Sequence, residues 1–120
     1  MSNLLQDAVQ AIVKLADDKK AEDICVFHSN EDHWLTEYIV VLTVNNSVHA
    51  RSILMMFKEY FSTLTSNDDL SDSPNVIGKP ESGWVIVDAN SIIIHCVNAE
   101  NRDFYEIDKL FSSQGEIHYH

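Results

Sequence analysis

The chain has 120 residues, 45% of them hydrophobic and 22% charged, which suits one domain with its own apolar core and excludes a multidomain enzyme. Eight Lys and Arg residues stand against 19 Asp and Glu, so the net charge is −11. This charge disfavours direct nucleic-acid binding, because phosphates are repelled, and favours a basic partner. Cys25 and Cys96 lie in apolar runs, which predicts buried free thiols rather than a disulfide.

The first half of the chain predicts two helices and two strands. Apolar residues within 4–15 recur at three- and four-residue steps, which predicts an amphipathic helix capped by Asn3. This segment has neither the apolar block of a signal peptide nor that of a membrane span, so we expect a cytoplasmic protein without membrane contact. Residues 24–27 predict a short strand that ends in the polar stretch 28–33, and residues 38–44 predict a central strand covered on both faces.

The second helix gives the clearest periodic signal. Asn46 or Ser47 can cap it, and its apolar residues follow at steps of four, three, four and three. The predicted inward stripe consists of Ala50, Leu54, Phe57, Phe61 and Leu64. Residues 66–83 show neither the helical nor the strand periodicity of apolar residues and are rich in Asp, which predicts a long acidic loop.

Residues 84–88 and 91–97 predict two strands joined by a two-residue turn, Ala89 and Asn90. In that register Trp84 faces His95 on a semi-polar side. The opposite side is wholly apolar and is expected to face the core; its residues are Val85, Val87, Ile92, Ile94 and Cys96.

A third helix is predicted after the hairpin. Asn98 can cap it, Phe104, Ile107 and Phe111 give its inward stripe, and Gly115 ends it. We expect residues 116–120 to form a frayed tail. Residues 1–120 thus predict a single α+β domain with a mixed β-sheet flanked by helices, in which strand 38–44 reaches strand 84–88 through the second helix by a right-handed crossover.

Three segments, LADDKKAEDICVF, TEYIVVLTVNNSVHA and GWVIVDANSIIIHCVNAENRDFYEIDKLF, resemble the ribosomal silencing factor family, also called RsfS or Iojap. The resemblance covers roughly residues 15–111 in order and spacing. The matching positions are residues 20–24, 36–38, Ser47, His49, Trp84, Asp88, His95, Arg102 and Tyr105. Departures stand at Glu37, Asn90, Ile107, Asp108, Phe111 and in the loop 78–81, where the family usually carries Glu-Gly.

This resemblance implies a nucleotidyltransferase-like architecture. It also implies binding to the large ribosomal subunit through a basic ribosomal protein, L fourteen, at the face where the small subunit joins. Blocking that joining would repress translation. Neither catalysis nor a cofactor is implied, and the free protein could be a monomer or a homodimer.

Six residues are candidates for partner binding, and most have a plain structural alternative. Trp84 beside Asp88 is the leading interface anchor, since interface energy concentrates in Trp, Tyr and Arg, but it could simply pack under a helix. His95 could stack on Trp84 or be a core histidine. Arg102 and Tyr105 could reach a partner, although an internal ion pair is the safer hypothesis for Arg102.

Four acidic residues are candidates for attracting a basic partner electrostatically. Glu81, with Asp68, Asp69 and Asp72 of the acidic loop, could draw in a basic partner through the summed field, or could be an ordinary solvated surface.

The six histidines lack the spacing of a structural zinc site, so no metal is predicted; His118 with His120 and His28 with His33 are the pairs considered. The chain also lacks the common nucleophile and phosphate-loop motifs, so it is predicted not to be an enzyme. One alternative is a nucleotide-binding or nucleotidyltransferase-like enzyme, which would need metal-holding carboxylates on a strand after a Gly-Ser turn. Another is an adaptor for a different basic protein.

Overall fold

A computed structural model describes residues 4–28, 37–64, 74–111 and 116–118. Residues 4 and 116–118 are described by their backbone alone. The helices are α1 (Leu4–Asp18), α2 (Ser47–Leu64), α3 (Ala99–Phe104) and α4 (Ile107–Phe111). The strands are β1 (Glu22–His28), β2 (Tyr38–Thr43), β3 (Asn75–Ile77), β4 (Trp84–Asp88), β5 (Ile92–Val97) and β6 (Glu116–His118). None of the described helices is long and apolar enough to cross a membrane.

All six strands form one sheet in the order β3-β4-β5-β2-β1-β6. The pair β2 and β5 is parallel, and every other neighbouring pair is antiparallel. The predicted α+β class with a mixed sheet is therefore confirmed. The nucleotidyltransferase-like architecture stays a prediction.

Helices α1 and α2 cover one face of the sheet. The Asn46 side chain accepts the backbone N–H of His49 at 2.8 Å and caps α2, as one of the two predicted caps. Four residues of the predicted α2 stripe are buried, Leu64 is partly buried, and Ile53 joins them. The apolar side of the β4–β5 hairpin faces this core as predicted, because alternate residues of a strand point to opposite faces. Strand β2 is buried along its whole length.

The opposite face of the sheet carries a smaller cluster under α4. It consists of Cys25, Phe27, Ile39, Val41, Val97 and Ile107, with Trp84 and Phe111 packed against it. We call this face of the sheet the half-open face, because α3 and α4 are short and leave strand β4 partly exposed on it. Cys25 and Cys96 are both buried and neither forms a disulfide, as expected, and burial raises the pKa of Cys96 to about 12.

The hairpin register differs from the prediction. Ala89 N–H donates to the Ile92 carbonyl at 2.9 Å, so the two turn residues are Asn90 and Ser91 instead of Ala89 and Asn90. Asn90 adopts the left-handed conformation with φ 71°, and its N–H donates to the Asp88 side chain, a local bond that favours this turn. Trp84 consequently pairs with Val97, and Ile86 pairs with His95. Because the shift is two residues, each side chain stays on its predicted face.

The predicted crossover is also wrong. The first strand after α2 is β3, which pairs antiparallel with β4 and lies inside the predicted acidic loop. Strand β4 runs antiparallel to β5 and hence to β2, and β5 separates the two. A short 3-10 turn, Pro80–Ser82, follows β3. Residues 66–73 of the predicted loop lie outside the described residues, as do Asn3, Gly115 and residues 29–33.

Two predictions at the carboxyl end need correction. Helix α3 ends at Phe104 and α4 starts at Ile107, because Glu106 takes the left-handed conformation with φ 48° and breaks the predicted single helix. Ile107 is fully buried and Phe111 is partly buried, but Phe104 is 74% exposed. Residues 116–118 of the predicted frayed tail instead pair antiparallel with β1 as strand β6.

Candidate functional site

The half-open face of the β4–β5 hairpin is the candidate binding site. Trp84, Ile86 and Asp88 alternate onto it from β4, and Ile93 and His95 do so from β5. All are partly exposed except His95, which is 9% exposed. The hairpin therefore presents an apolar strip with an aromatic end and an acidic end, which resembles the core and rim of a protein interface.

Trp84 and His95 form the centre of the aromatic end. They are diagonal neighbours across the strands, and the Trp84 indole N–H donates to His95 Nδ1 at 3.1 Å. An indole can only donate, so Nδ1 is the acceptor and the neutral imidazole carries its proton on Nε2. Burial lowers the pKa of His95 to about 4, which keeps the ring neutral and the indole bond in place near neutral pH.

Tyr105 extends the aromatic end outward. Its ring lies 5.4 Å from that of Trp84 between centroids, and it is 52% exposed. On its other side the Phe104 ring meets it edge to face at 4.8 Å. Behind Trp84, the His95 ring lies 5.5 Å from that of Phe111. Rings thus follow one another from the core to the surface.

Arg102 belongs to an internal network instead of the open surface. Its side chain is 11% exposed and binds both Asp108 carboxylate oxygens at 2.7 and 2.8 Å. Its remaining N–H groups donate to the Asp23 carbonyl, the Thr43 hydroxyl and the Cys25 sulfur. All five guanidinium N–H groups then have acceptors. This favours the internal ion pair over a direct partner contact.

The Arg102 network draws on distant parts of the chain. A bulge in β1 between Glu22 and Cys25, with Asp23 at φ 49°, accompanies the placement of the Asp23 carbonyl at the guanidinium. Burial by itself lowers the pKa of Arg102, but the hydrogen bonds and charge of Asp108 raise it overall. The Arg102 guanidinium in turn holds the pKa of the Asp108 carboxyl below its ordinary value, against the opposing effect of partial burial.

Asp88 and Glu81 lie apart from the aromatic end. Asp88 shares its sheet face, but it sits four residues along β4, where its side chain accepts the Asn90 N–H at 2.9 Å. Glu81 forms an ion pair with Arg51 of α2, the helix on the other face of the sheet. A hydrogen bond from its own backbone N–H, and then Arg51, lower the pKa of the Glu81 carboxyl. Glu81 is therefore directed away from the half-open face.

The segment before β4 fixes where Trp84 enters the sheet. Gly83 has φ 82°, and a Cβ there would lie 2.4 Å from the Asn98 amide nitrogen, so only glycine fits. The Asn98 N–H donates to the Gly83 carbonyl at 2.8 Å, and the Asn101 amide donates to the Ser82 carbonyl at 3.2 Å. Asn98 also caps α3 as predicted, by accepting the Asn101 N–H. The start of α3 therefore holds the entry to β4.

The structure brings together three of the six predicted residues: Trp84, His95 and Tyr105. Phe104 was not predicted as a site residue, because its spacing fits the inward stripe of an unbroken helix. Its position directly before Tyr105 was the available signal, but the helix break that exposes it leaves no clear mark in the sequence. Among the described residues, no group of three or more His, Cys, Asp and Glu side chains is arranged to hold a metal ion.

Comparison with known families matches residues 2–120 to the family model described as "Ribosomal silencing factor during starvation", RsfS. The chain belongs to the ribosomal silencing factor family. Curated relatives include the Ribosomal silencing factor RsfS of Treponema pallidum, 28% identical over 87% of this chain and 89% of its own length. The corresponding protein of Halalkalibacterium halodurans is 22% identical over 92% of this chain and 89% of its own length.

A mouse relative is named Mitochondrial assembly of ribosomal large subunit protein 1. It is 26% identical over 87% of this chain, which spans 45% of the mouse protein's length. Two solved structures share the fold of this RsfS-family chain. A Chromobacterium violaceum protein matches with a TM-score of 0.69 at 21% sequence identity, and the match covers 89% of this chain and 85% of that protein. A Bacillus halodurans protein matches with a TM-score of 0.66 at 22% sequence identity, and the match covers 88% of this chain and 93% of that protein.

Proposed function

We propose that this chain binds the large ribosomal subunit through the basic ribosomal protein L fourteen and uses the half-open face of the β4–β5 hairpin to do so. Bound there, the domain sterically blocks joining of the small subunit and represses translation. This mechanism requires only that the domain occupy its site on the large subunit, and it involves no catalysed reaction. Membership of the ribosomal silencing factor family and the name of the mouse relative support a role on the large subunit.

The half-covered Trp84 carries the proposal that this face is the interface. Its indole is held by His95 on one side and by Tyr105 on the other, so it is ordered before a partner arrives. An ordered aromatic ring loses little conformational entropy on binding and is typical of interface hot spots. The net charge of −11 supports a basic partner by accelerating the encounter.

The test is co-sedimentation of the purified protein with separated large subunits, small subunits and intact ribosomes. The parent protein is expected to pellet with large subunits, and Trp84→Ala is expected to weaken this by about 2 kcal/mol, roughly 30-fold. Met55→Ala is the matched control, because Met55 is 68% exposed on α2 across the sheet. A Trp84→Ala variant that pellets like the parent would remove this face from the interface.

Because Trp84 also packs against the cluster under α4, its removal could unfold the domain. Tyr105→Ala provides a second variant at a more exposed position, and thermal melts of both variants separate lost binding from lost folding. Sucrose gradients then test the block itself, since added parent protein should reduce joined ribosomes. A parent protein that pellets with no ribosomal species would contradict the proposal. Titrations with nucleotides and with other basic proteins would then test the two alternatives.

The direct roles of Asp88 and Glu81 are secondary in this proposal. Asp88 lies at the acidic end of the strip, and Glu81 adds to the field around the molecule while paired with Arg51. Arg102 acts by holding α3 and α4 against the sheet. The monomer or homodimer state of the free protein, its cytoplasmic location and the nucleotide-binding alternative stay predictions.

A further inference from the structure

The break between α3 and α4 creates an exposed aromatic tip. Phe104 is the last residue of α3 and is 74% exposed, and Tyr105 follows it at 52%. A single exposed apolar residue is ordinary on a protein surface. Phe104 differs because its ring touches Tyr105, whose ring touches the half-buried Trp84, so the tip continues the candidate site.

The tip is held in place before any partner binds. The Tyr105 N–H donates to the Asn101 carbonyl at 3.0 Å, and the Glu106 N–H donates to the Asp103 carbonyl at 3.1 Å. The left-handed Glu106 then turns the chain so that the following residue, Ile107, enters the core. The backbone that carries the two rings therefore needs little further ordering when a partner covers them.

The exposed charges of α3 beside the tip are acidic, and the exposed Lys109 of α4 is paired with Glu106. Glu100 lies one helical turn before Phe104, and Asp103 directly precedes Phe104 in the chain; both are exposed, and neither forms an ion pair with another described residue. The one basic residue of α3, Arg102, points inward to Asp108. Helix α3 therefore shows solvent an aromatic ring with unpaired carboxylates and no basic head group.

We propose that Phe104 and Tyr105 receive an arginine side chain of the partner, with Glu100 and Asp103 as its counter-charges. A guanidinium can stack on an aromatic face while its N–H groups reach carboxylates, which a lysine ammonium does less well. The inference rests on the proposed function, since it extends the Trp84 site onto α3 and names the partner's side chain. It adds a specificity-determining residue, Phe104, that the family motif does not contain.

The test compares large-subunit affinity for Phe104→Ala, Phe104→Leu and the control Met55→Ala. Phe104→Ala is expected to weaken binding roughly fivefold to 30-fold, and Phe104→Leu nearly as much, because leucine keeps apolar volume but has no π face. The double variant Glu100→Gln with Asp103→Asn should slow association and flatten its salt dependence. Full affinity in Phe104→Ala, or full rescue by leucine, would overturn the arginine assignment.

A second arm keeps the inference separate from the proposed function. Isotope-labelled protein is titrated with a short polyarginine peptide and followed by NMR. Signals of residues 100–105 that shift in the parent but not in Phe104→Ala support the arginine receptor even if large subunits are not bound. Signals that stay fixed there overturn it, whatever the ribosome assay gives.

Discussion

The protonation of His95 provides the sharpest test of the aromatic core of the site. Its pKa falls from 6.5 to about 4 in the folded protein because the ring is buried. The unfolded chain therefore binds a proton more readily than the native state between these values, so stability falls as pH decreases through this window. Lowering the pH from 7 to 5 should cost about 2 kcal/mol from this one group.

The assay is urea denaturation at pH 7 and pH 5 for the parent and for His95→Asn. The asparagine oxygen stands in for Nδ1 as acceptor of the Trp84 indole N–H but takes up no proton in this range. Carboxylates that also titrate near pH 5 contribute equally to both proteins. The parent should lose about 2 kcal/mol more than the variant. Equal losses would refute the assignment of His95 as a buried neutral ring.

Two further predictions concern contacts that hold the site in place. Asp108→Asn should destabilise the fold by about 2 kcal/mol, because Arg102 is left without its charge partner; the loss is smaller than for a fully buried pair, since Asp108 is 41% exposed. Glu106→Gln, which removes the charge from an exposed pair, is the control. Equal urea midpoints for the two variants would contradict this prediction. His49→Ala should lower the free energy of unfolding by about 1 to 2 kcal/mol, because the His49 ring accepts the Asn45 N–H in the loop before α2 and bonds the Lys19 carbonyl at 2.7 Å. An unchanged melting temperature would show that these two bonds do not stabilise the fold.

Much of the site could be found from the sequence because its signals are local. The alternation of apolar residues in β4 and β5 placed Trp84 and His95 on one face, and this survived a register error because the error was two residues. Tyr105 was identified through the family motif. The aromatic tip was missed because Phe104 fits the inward spacing of a continuous helix, and only the backbone turn at Glu106 exposes it.

By itself, the sequence determined α1, α2, β1, β2 and the two hairpin strands, because helix caps and apolar periodicity act between residues close along the chain. The tertiary structure decided the rest. Strands β3 and β6 have three residues each and gain their hydrogen bonds only from β4 and β1, so no local signal predicts them. Arg102 reaches acceptors at residues 23, 25, 43 and 108, which only the folded sheet brings within 3.4 Å of its guanidinium.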